Sequence, residues 1–167
     1  MAELTPSERL QPSLLDRLTD DEPDKQLESR DKRILSLERL RQCVFRDLEW
    51  LLNCSALEQI EDLDKYPHVR SSVVNFGIPD LTGLTVSSAQ VFELERHVRD
   101  AIWNFEPRIL RHTLEVRAVS AGHKSNPNAL AFEIEGELWA QPLPLRLYLR
   151  TELDLDTGAV SVQERPD

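Results

Sequence analysis

Two periods divide the chain. From Ser36 onward, Leu37, Leu40, Val44, Leu48 and Leu51 recur at three- and four-residue intervals, with Glu38, Arg41, Gln42, Arg46 and Glu49 between them. That spacing predicts an amphipathic helix, capped by Ser36 and ending near Asn53. Phe45, Trp50 and Leu52 widen its apolar face beyond what one neighbour needs. A second helix is predicted by Val91, Leu94, Val98, Ala101, Ile102 and Phe105, behind a capping box at Ser87-Ser88-Ala89-Gln90. Pro107 closes it and biases Glu106 away from helical geometry.

After Arg111 the period falls to two. Leu114, Val116 and Ala118 alternate with Glu115, Arg117 and Val119, and Leu130, Phe132, Ile134 and Leu138 with Ala131, Glu133, Glu135 and Glu137, where Gly136 suggests a bulge. A third strand is predicted from Leu143 to Leu155, with leucines at 143, 145, 147, 149, 153 and 155 on one face and Arg146, Tyr148, Arg150, Glu152 and Asp154 on the other. Asp156-Thr157-Gly158 then turns the chain into a last strand through Val160 and Val162. The fold class expected is α+β: an N-terminal arm, then two main amphipathic helices packed on a C-terminal antiparallel β-meander.

The connections carry less pattern. Between the helices, Tyr66 to Gly83 is punctuated by Pro67, Gly77, Pro79 and Gly83, leaving room for a short helical turn around Val69 to Val74. Ahead of the first long helix, Leu10, Leu14, Leu15 and Leu18 recur at helical spacing. A two-turn helix of this size is not stable alone in water and needs a surface to dock on. The run Asp20-Asp21-Glu22-Pro23-Asp24 behind it reads as a stop and a solvated linker. Residues 1–33 are therefore expected to form an arm and linker, and residues 34–167 one domain.

Composition narrows the functional classes. A net charge of −10 argues against a broad phosphate-binding surface, which needs lysine and arginine. No apolar run approaches the roughly 20 residues of a membrane span, and acidic groups occupy the place of a signal peptide's basic end. Cys43 and Cys54 are too far apart along one helix to bridge, which fits reduced thiols and a cytoplasmic setting. His68, His97, His112 and His123 form no metal-ligand spacing, and the five glycines build no phosphate loop, so no metal or cofactor is expected.

One short motif carries chemistry: Phe105-Glu106-Pro107-Arg108 at the end of the second helix. A carboxylate there faces the negative end of the helix dipole and requires a cation, which Arg108 can supply. Read alone, this is either a local ion pair at a helix stop or a charged anchor. In the second case the pair would be solvated in the free chain and buried only on assembly.

The segments LQPSLLDRLTDDEP, LRQCVFRDLEWLLN, YPHVRSSVVNFGIPDLTG and FEPR, in this order and followed by strands, resemble the TssE subunits of type VI secretion baseplates. The wider family includes the wedge subunit of contractile phage tails and is often labelled lysozyme-like. The resemblance implies that Glu106, Pro107 and Arg108 anchor the subunit in the wedge, and that the C-terminal sheet starts assembly of the contractile sheath. It implies as partners the wedge subunits TssF, TssG and TssK and the sheath proteins TssB and TssC, without nucleic acid or direct membrane insertion. The setting implied is cytoplasmic, in an assembly docked at the inner membrane. Leu14, Leu15 and Leu18 of the arm, with Trp103 on the second helix, are the further partner-binding candidates.

The lysozyme-like label also leaves a glycosidase reading, with Glu106 as general acid and Glu115 or Glu133 as its partner. Such chemistry needs two carboxyl groups about 5–9.5 Å apart and an acid of raised pKa. Arg108 argues against it, because a neighbouring cation lowers a carboxyl pKa.

Overall fold

The computed structural model describes residues 13–19, 23–24, 36–80, 88–120, 129–140 and 144–164. Leu10, the acidic residues 20–22, Gly83, Ser87, His123 and Leu143, each singled out above, lie outside the described residues. Helix α1 spans Leu14–Leu18, α2 Leu37–Leu52, α3 Pro67–Arg70 and α4 Ser88–Phe105. Strands β1 (Glu115–Ser120), β2 (Ala129–Leu138), β3 (Leu145–Asp154) and β4 (Val160–Glu164) follow in one antiparallel sheet of order β1-β2-β3-β4. The expected α+β architecture is the one observed. No helix among the described residues is long and apolar enough to cross a membrane.

Helix α2 starts as its sequence dictates. The Ser36 hydroxyl accepts a hydrogen bond from the Arg39 N–H at 3.1 Å, satisfying one of the unpaired donors of the first turn. Leu40, Val44, Leu48, Leu51 and Leu52 are buried, while Leu37 and Trp50 stay largely exposed. Its end is fixed by Asn53. This side chain donates to the Val160 carbonyl at 2.8 Å and accepts from the Val160 N–H at 3.0 Å, acting as a surrogate strand residue beside the start of β4.

Helix α4 packs over β1 and α2 over β4, so both helices cover one face of the sheet and touch each other. Leu94, Val98, Ala101 and Ile102 meet Phe132, Ile134, Leu147, Leu149 and Leu153 there. On β3 the buried positions alternate from Leu147 through Leu149 and Thr151 to Leu153. Thr151 takes a place in the leucine row and donates its hydroxyl to the Phe132 carbonyl at 3.5 Å, which makes its burial tolerable.

Two details of the sequence reading need correction. Gly136 makes no bulge: it faces Leu147 within an unbroken ladder from Ala129–Asp154 to Leu138–Leu145. Glycine there relieves crowding: a Cβ would lie 3.2 Å from the Ile109 Cγ2, which would have to give by a few tenths of an ångström. The connector helix is also divided, into α3 and a separate 3-10 turn at Val73–Asn75. Asn75 holds that turn from inside: its side chain accepts from the Glu58 N–H at 2.9 Å and donates to the Arg70 carbonyl at 3.0 Å.

The two edges of the sheet differ. On β1 the outward Ala118 N–H donates to the Glu95 carboxylate of α4 at 2.6 Å. On β4, Val160 turns its peptide groups away from β3 and gives them to Asn53. By the alternation of an antiparallel ladder, Val162 and Glu164 turn theirs the same way. Strand β4 pairs only with Leu149–Leu153, about half of β3. Where it stops, Phe45, Leu147, Leu149, Arg41 and Glu164 line a cavity of about 330 Å3, with Arg41 and Glu164 ion-paired.

Candidate functional site: an ion-paired corner at the end of α4

Helix α4 stops at Pro107, and the chain leaves it toward the end of β2. Backbone hydrogen bonds hold it there: Trp139 N–H to the Arg108 carbonyl at 2.7 Å, and Leu110 N–H to the Glu137 carbonyl at 2.8 Å. The Glu137 N–H in turn donates to Thr113 Oγ1 at 2.9 Å. Arg108 is thus clamped between a helix end and a strand end, and its side chain folds back across the helix terminus.

The guanidinium meets both oxygens of Glu106. Nε donates to Oε1 at 2.6 Å, Nη2 pairs with Oε2, and the Arg108 backbone N–H adds a bond to Oε1 at 3.2 Å. Nη2 also reaches Asp47 Oδ2 on α2 at 2.5 Å. Asp47 Oδ1 accepts from Arg46 Nη2 at 2.7 Å, and Arg46 Nη2 lies 2.8 Å from Asp16 Oδ1 of the arm. A chain of alternating charge therefore runs from α1 through α2 to the end of α4. Burial alone would lower the Arg108 pKa, but the Glu106 and Asp47 carboxylates outweigh it and hold the guanidinium above arginine's ordinary value.

Glu106 is only 4% exposed in the free chain. The expectation that this pair becomes buried only on assembly is overturned, because Glu106 is already buried in the free fold. The pair is a fold element whose Arg108 side retains 23% exposure. The glycosidase reading fares poorly on the same geometry. A general acid needs one carboxyl oxygen carrying a proton aimed at substrate, and both Glu106 oxygens face Arg108. Glu115 is exposed and paired with Arg117.

Beside the pair is a cavity of about 230 Å3. Leu15, Trp50, Leu51, Phe76 and Phe105 form its apolar wall, and Asp47, Glu106 and Arg108 its charged side. Phe76 is set against Phe105 edge to face, with ring centroids 5.4 Å apart. Arg46 lies over the Trp50 ring, 5.2 Å from its centroid.

Of the residues singled out from sequence, Leu15, Glu106 and Arg108 converge on this cavity. Pro107 supplies the helix stop. Leu14 and Leu18 point to solvent, 71% and 75% exposed. Trp103 is half-buried under Arg99, its carbonyl accepting from Arg111, and is not among the cavity's lining residues. Sequence reading missed Asp47, Arg46 and Asp16. Asp47 had a signal: at 100° per residue it falls about 60° from Val44, inside the apolar face.

The surface that the short arm helix needs is α2. Ser13 caps α1, its Oγ accepting from the Asp16 N–H at 3.3 Å and donating to Asp16 Oδ2 at 2.6 Å. Burial pushes the Asp16 pKa up, but Ser13, Arg46 and the Cys43 thiol together hold it below the ordinary carboxylate value of 3.8. A carboxyl whose docked pKa is depressed stabilises docking above its free value and loses that contribution as pH falls through the docked value. Arm amides in NMR spectra should therefore keep their docked shifts at neutral pH and move toward random-coil values below about pH 3.8. Asp16→Asn should release the arm already at pH 7. Docked shifts unchanged in that variant would show that leucine packing alone holds α1.

Among the described residues, no three His, Cys, Asp or Glu side chains gather as metal ligands would. Comparison with known proteins then gives the corner its context. No curated protein matches the chain. A crystal structure from Geobacter sulfurreducens, of a protein provisionally named a tail lysozyme, aligns with 80% of this chain and 97% of its own at 16% identity, with a TM-score of 0.47. A family sequence profile described as "Baseplate wedge protein gp25" matches residues 38–143, which include α2, the connector, α4, the Glu106–Arg108 corner and the first two strands. The chain belongs to the baseplate wedge protein gp25 family.

Proposed function

We propose that this chain is a TssE-type wedge subunit of a type VI secretion baseplate, working in the cytoplasm on an assembly docked at the inner membrane. It joins TssF, TssG and TssK in the wedge and offers its sheet to the sheath proteins TssB and TssC, without turning over a substrate. The observation that carries this reading is the β4 edge: Asn53 takes up the peptide groups of Val160 alone, and those of Val162 and Glu164 turn outward, while on the opposite edge Glu95 takes up the Ala118 N–H. An open edge takes up an extended segment by backbone hydrogen bonding, which gives affinity, while alternating side-chain pockets give selection. The step where β4 ends and β3 continues, with its cavity at Phe45, Leu147 and Leu149, sets a register for that segment. The engagement of both Glu106 oxygens by Arg108 supports the non-catalytic part.

Val162→Pro tests it. Proline removes one outward N–H and suits an edge position. The variant should still copurify with TssF and TssG but form few sheaths, counted as fluorescent TssB structures in cells. Sheaths at wild-type frequency would exclude the β4 edge as the template. A chain that purifies without any wedge subunit, or that clears a peptidoglycan suspension in a Glu106-dependent way, would remove the reading as a whole.

A further inference from the structure

The cavity beside Arg108 has one wall unlike the others. Trp50, Leu51, Phe76 and Phe105 belong to the body of the fold, whereas Leu15 belongs to the five-residue helix α1. Leu15 is placed there by its neighbour: Asp16, with a side chain only 5% exposed, is ion-paired to Arg46. Leu15 is 42% exposed against 71% and 75% for Leu14 and Leu18, so among the described residues Leu15 and Asp16, the latter bonded to Arg46 and the Cys43 thiol, are the arm's hold on α2.

Resting on the reading that the Glu106–Arg108 corner docks a wedge subunit, we infer that this cavity receives one large apolar side chain of that partner, flanked by a lysine or arginine, and that α1 is its movable wall. The volume, about 230 Å3, lies below the roughly 300–1,000 Å3 typical of small-molecule sites and suits a single aliphatic or aromatic side chain. Buried pockets filled by one such anchor dominate the energetics of protein interfaces. The rim selects its neighbour. Asp16, Asp47 and Glu106 set three carboxylates against the two guanidiniums of Arg46 and Arg108, which leaves one net negative charge for a cation of the partner, while Arg108 Nη1 stays buried without a hydrogen-bond partner. An inserted side chain covers Leu15, so occupancy of the cavity and docking of the arm strengthen each other.

The test is a binding titration of the full-length chain against the purified TssF–TssG pair. Leu15→Ser should weaken binding about tenfold, the effect of losing one leucine's apolar contact. Asp16→Asn, which frees the wall, should weaken it comparably. Leu14→Ser, on the solvent side of the same helix, should change it less than about twofold; an equal loss there would make the arm a general contact and overturn the inference. Photo-crosslinking from p-benzoylphenylalanine at position 15 should trap a leucine, isoleucine, methionine or phenylalanine within four positions of a lysine or arginine. A polar or acidic site would also overturn it. Arg108→Lys keeps a charge opposite Glu106 but cannot bridge to Asp47, and it separates the two claims. If Arg108→Lys weakens binding while Leu15→Ser and Asp16→Asn do not, docking at the corner stands and the movable wall fails. If Arg108→Lys binds as wild type, or the wild-type chain does not bind the pair, both fall.

Discussion

Gly77→Ala should lower the melting temperature of the isolated subunit by about 10 °C or prevent folding altogether. Gly77 has a φ of 135°, a conformation that residues with a Cβ rarely adopt, and an added Cβ would lie 2.3 Å from the Cys54 carbonyl oxygen. The obstacle is backbone that cannot step aside. The same Cys54 carbonyl accepts from the Ile78 N–H at 2.9 Å, and the Ala56 N–H donates to the Ile78 carbonyl at 3.0 Å, forming a parallel bridge between the exit of α2 and the end of the connector. Relieving the clash breaks that bridge and moves Phe76, hence its packing on Phe105. Strain at a special φ together with a steric overlap belongs among the costliest single substitutions, on the order of 4 kcal/mol. At about 2–4 °C per kcal/mol for a chain of this size, the loss is plainly visible by circular dichroism. A melting temperature within about 2 °C of wild type would show that residues 54–78 rearrange freely.

Arg108→Ala should destabilise the free subunit by about 3 kcal/mol, before any partner is present. Glu106 is buried, and its counter-charge is the guanidinium that the substitution removes. An unpaired buried carboxylate costs roughly 3–5 kcal/mol, and the remaining exposure on the Arg108 side places the effect at the lower end. Chemical denaturation read as a double-mutant cycle checks this. Glu106→Gln in the Arg108→Ala background should restore part of the loss, because the buried charge is then gone, giving a coupling of at least about 1 kcal/mol. Additive losses would mean that the two side chains act independently and that Arg108 is held by Asp47 alone. A binding defect in Arg108→Ala therefore reports on docking only after its stability has been measured, and Arg108→Lys is the cleaner probe.

What was legible in the sequence was whatever depends on near neighbours. The three- and four-residue period of α2, its Ser36 cap and its Asn53 end are local properties, and so is the alternation that locates β2 and β3. Gly136 was misread because its role depends on Ile109, which only the tertiary fold brings to within 3.2 Å of where a Cβ would stand. The Glu106–Arg108 pair could be read from two adjacent turns of chain, but its burial could not, since Asp47 of α2, Phe76 of the connector and Leu15 of the arm meet it only in the tertiary fold. Asp16 was invisible for the same reason: nothing in its surroundings in sequence announces a partner thirty residues on. Asp47 was legible in principle, as a charge set inside an apolar stripe, and such a residue has to find a counter-ion or stay at the margin of the core.

The amide of Asn53 also has a consequence in time. It joins the end of α2 to β4 across 107 residues of chain. At synthesis rates of about 5–20 residues per second, Val160 follows Asn53 out of the ribosome by on the order of 5–20 s. Throughout that interval α2 exists without the strand it packs over, and closing so long a loop is itself slow. Until then α2 has only α4 and the earlier strands to pack on, so the β4 edge, with the outward peptide groups of Val162 and Glu164, is completed after the two long helices and β1 to β3.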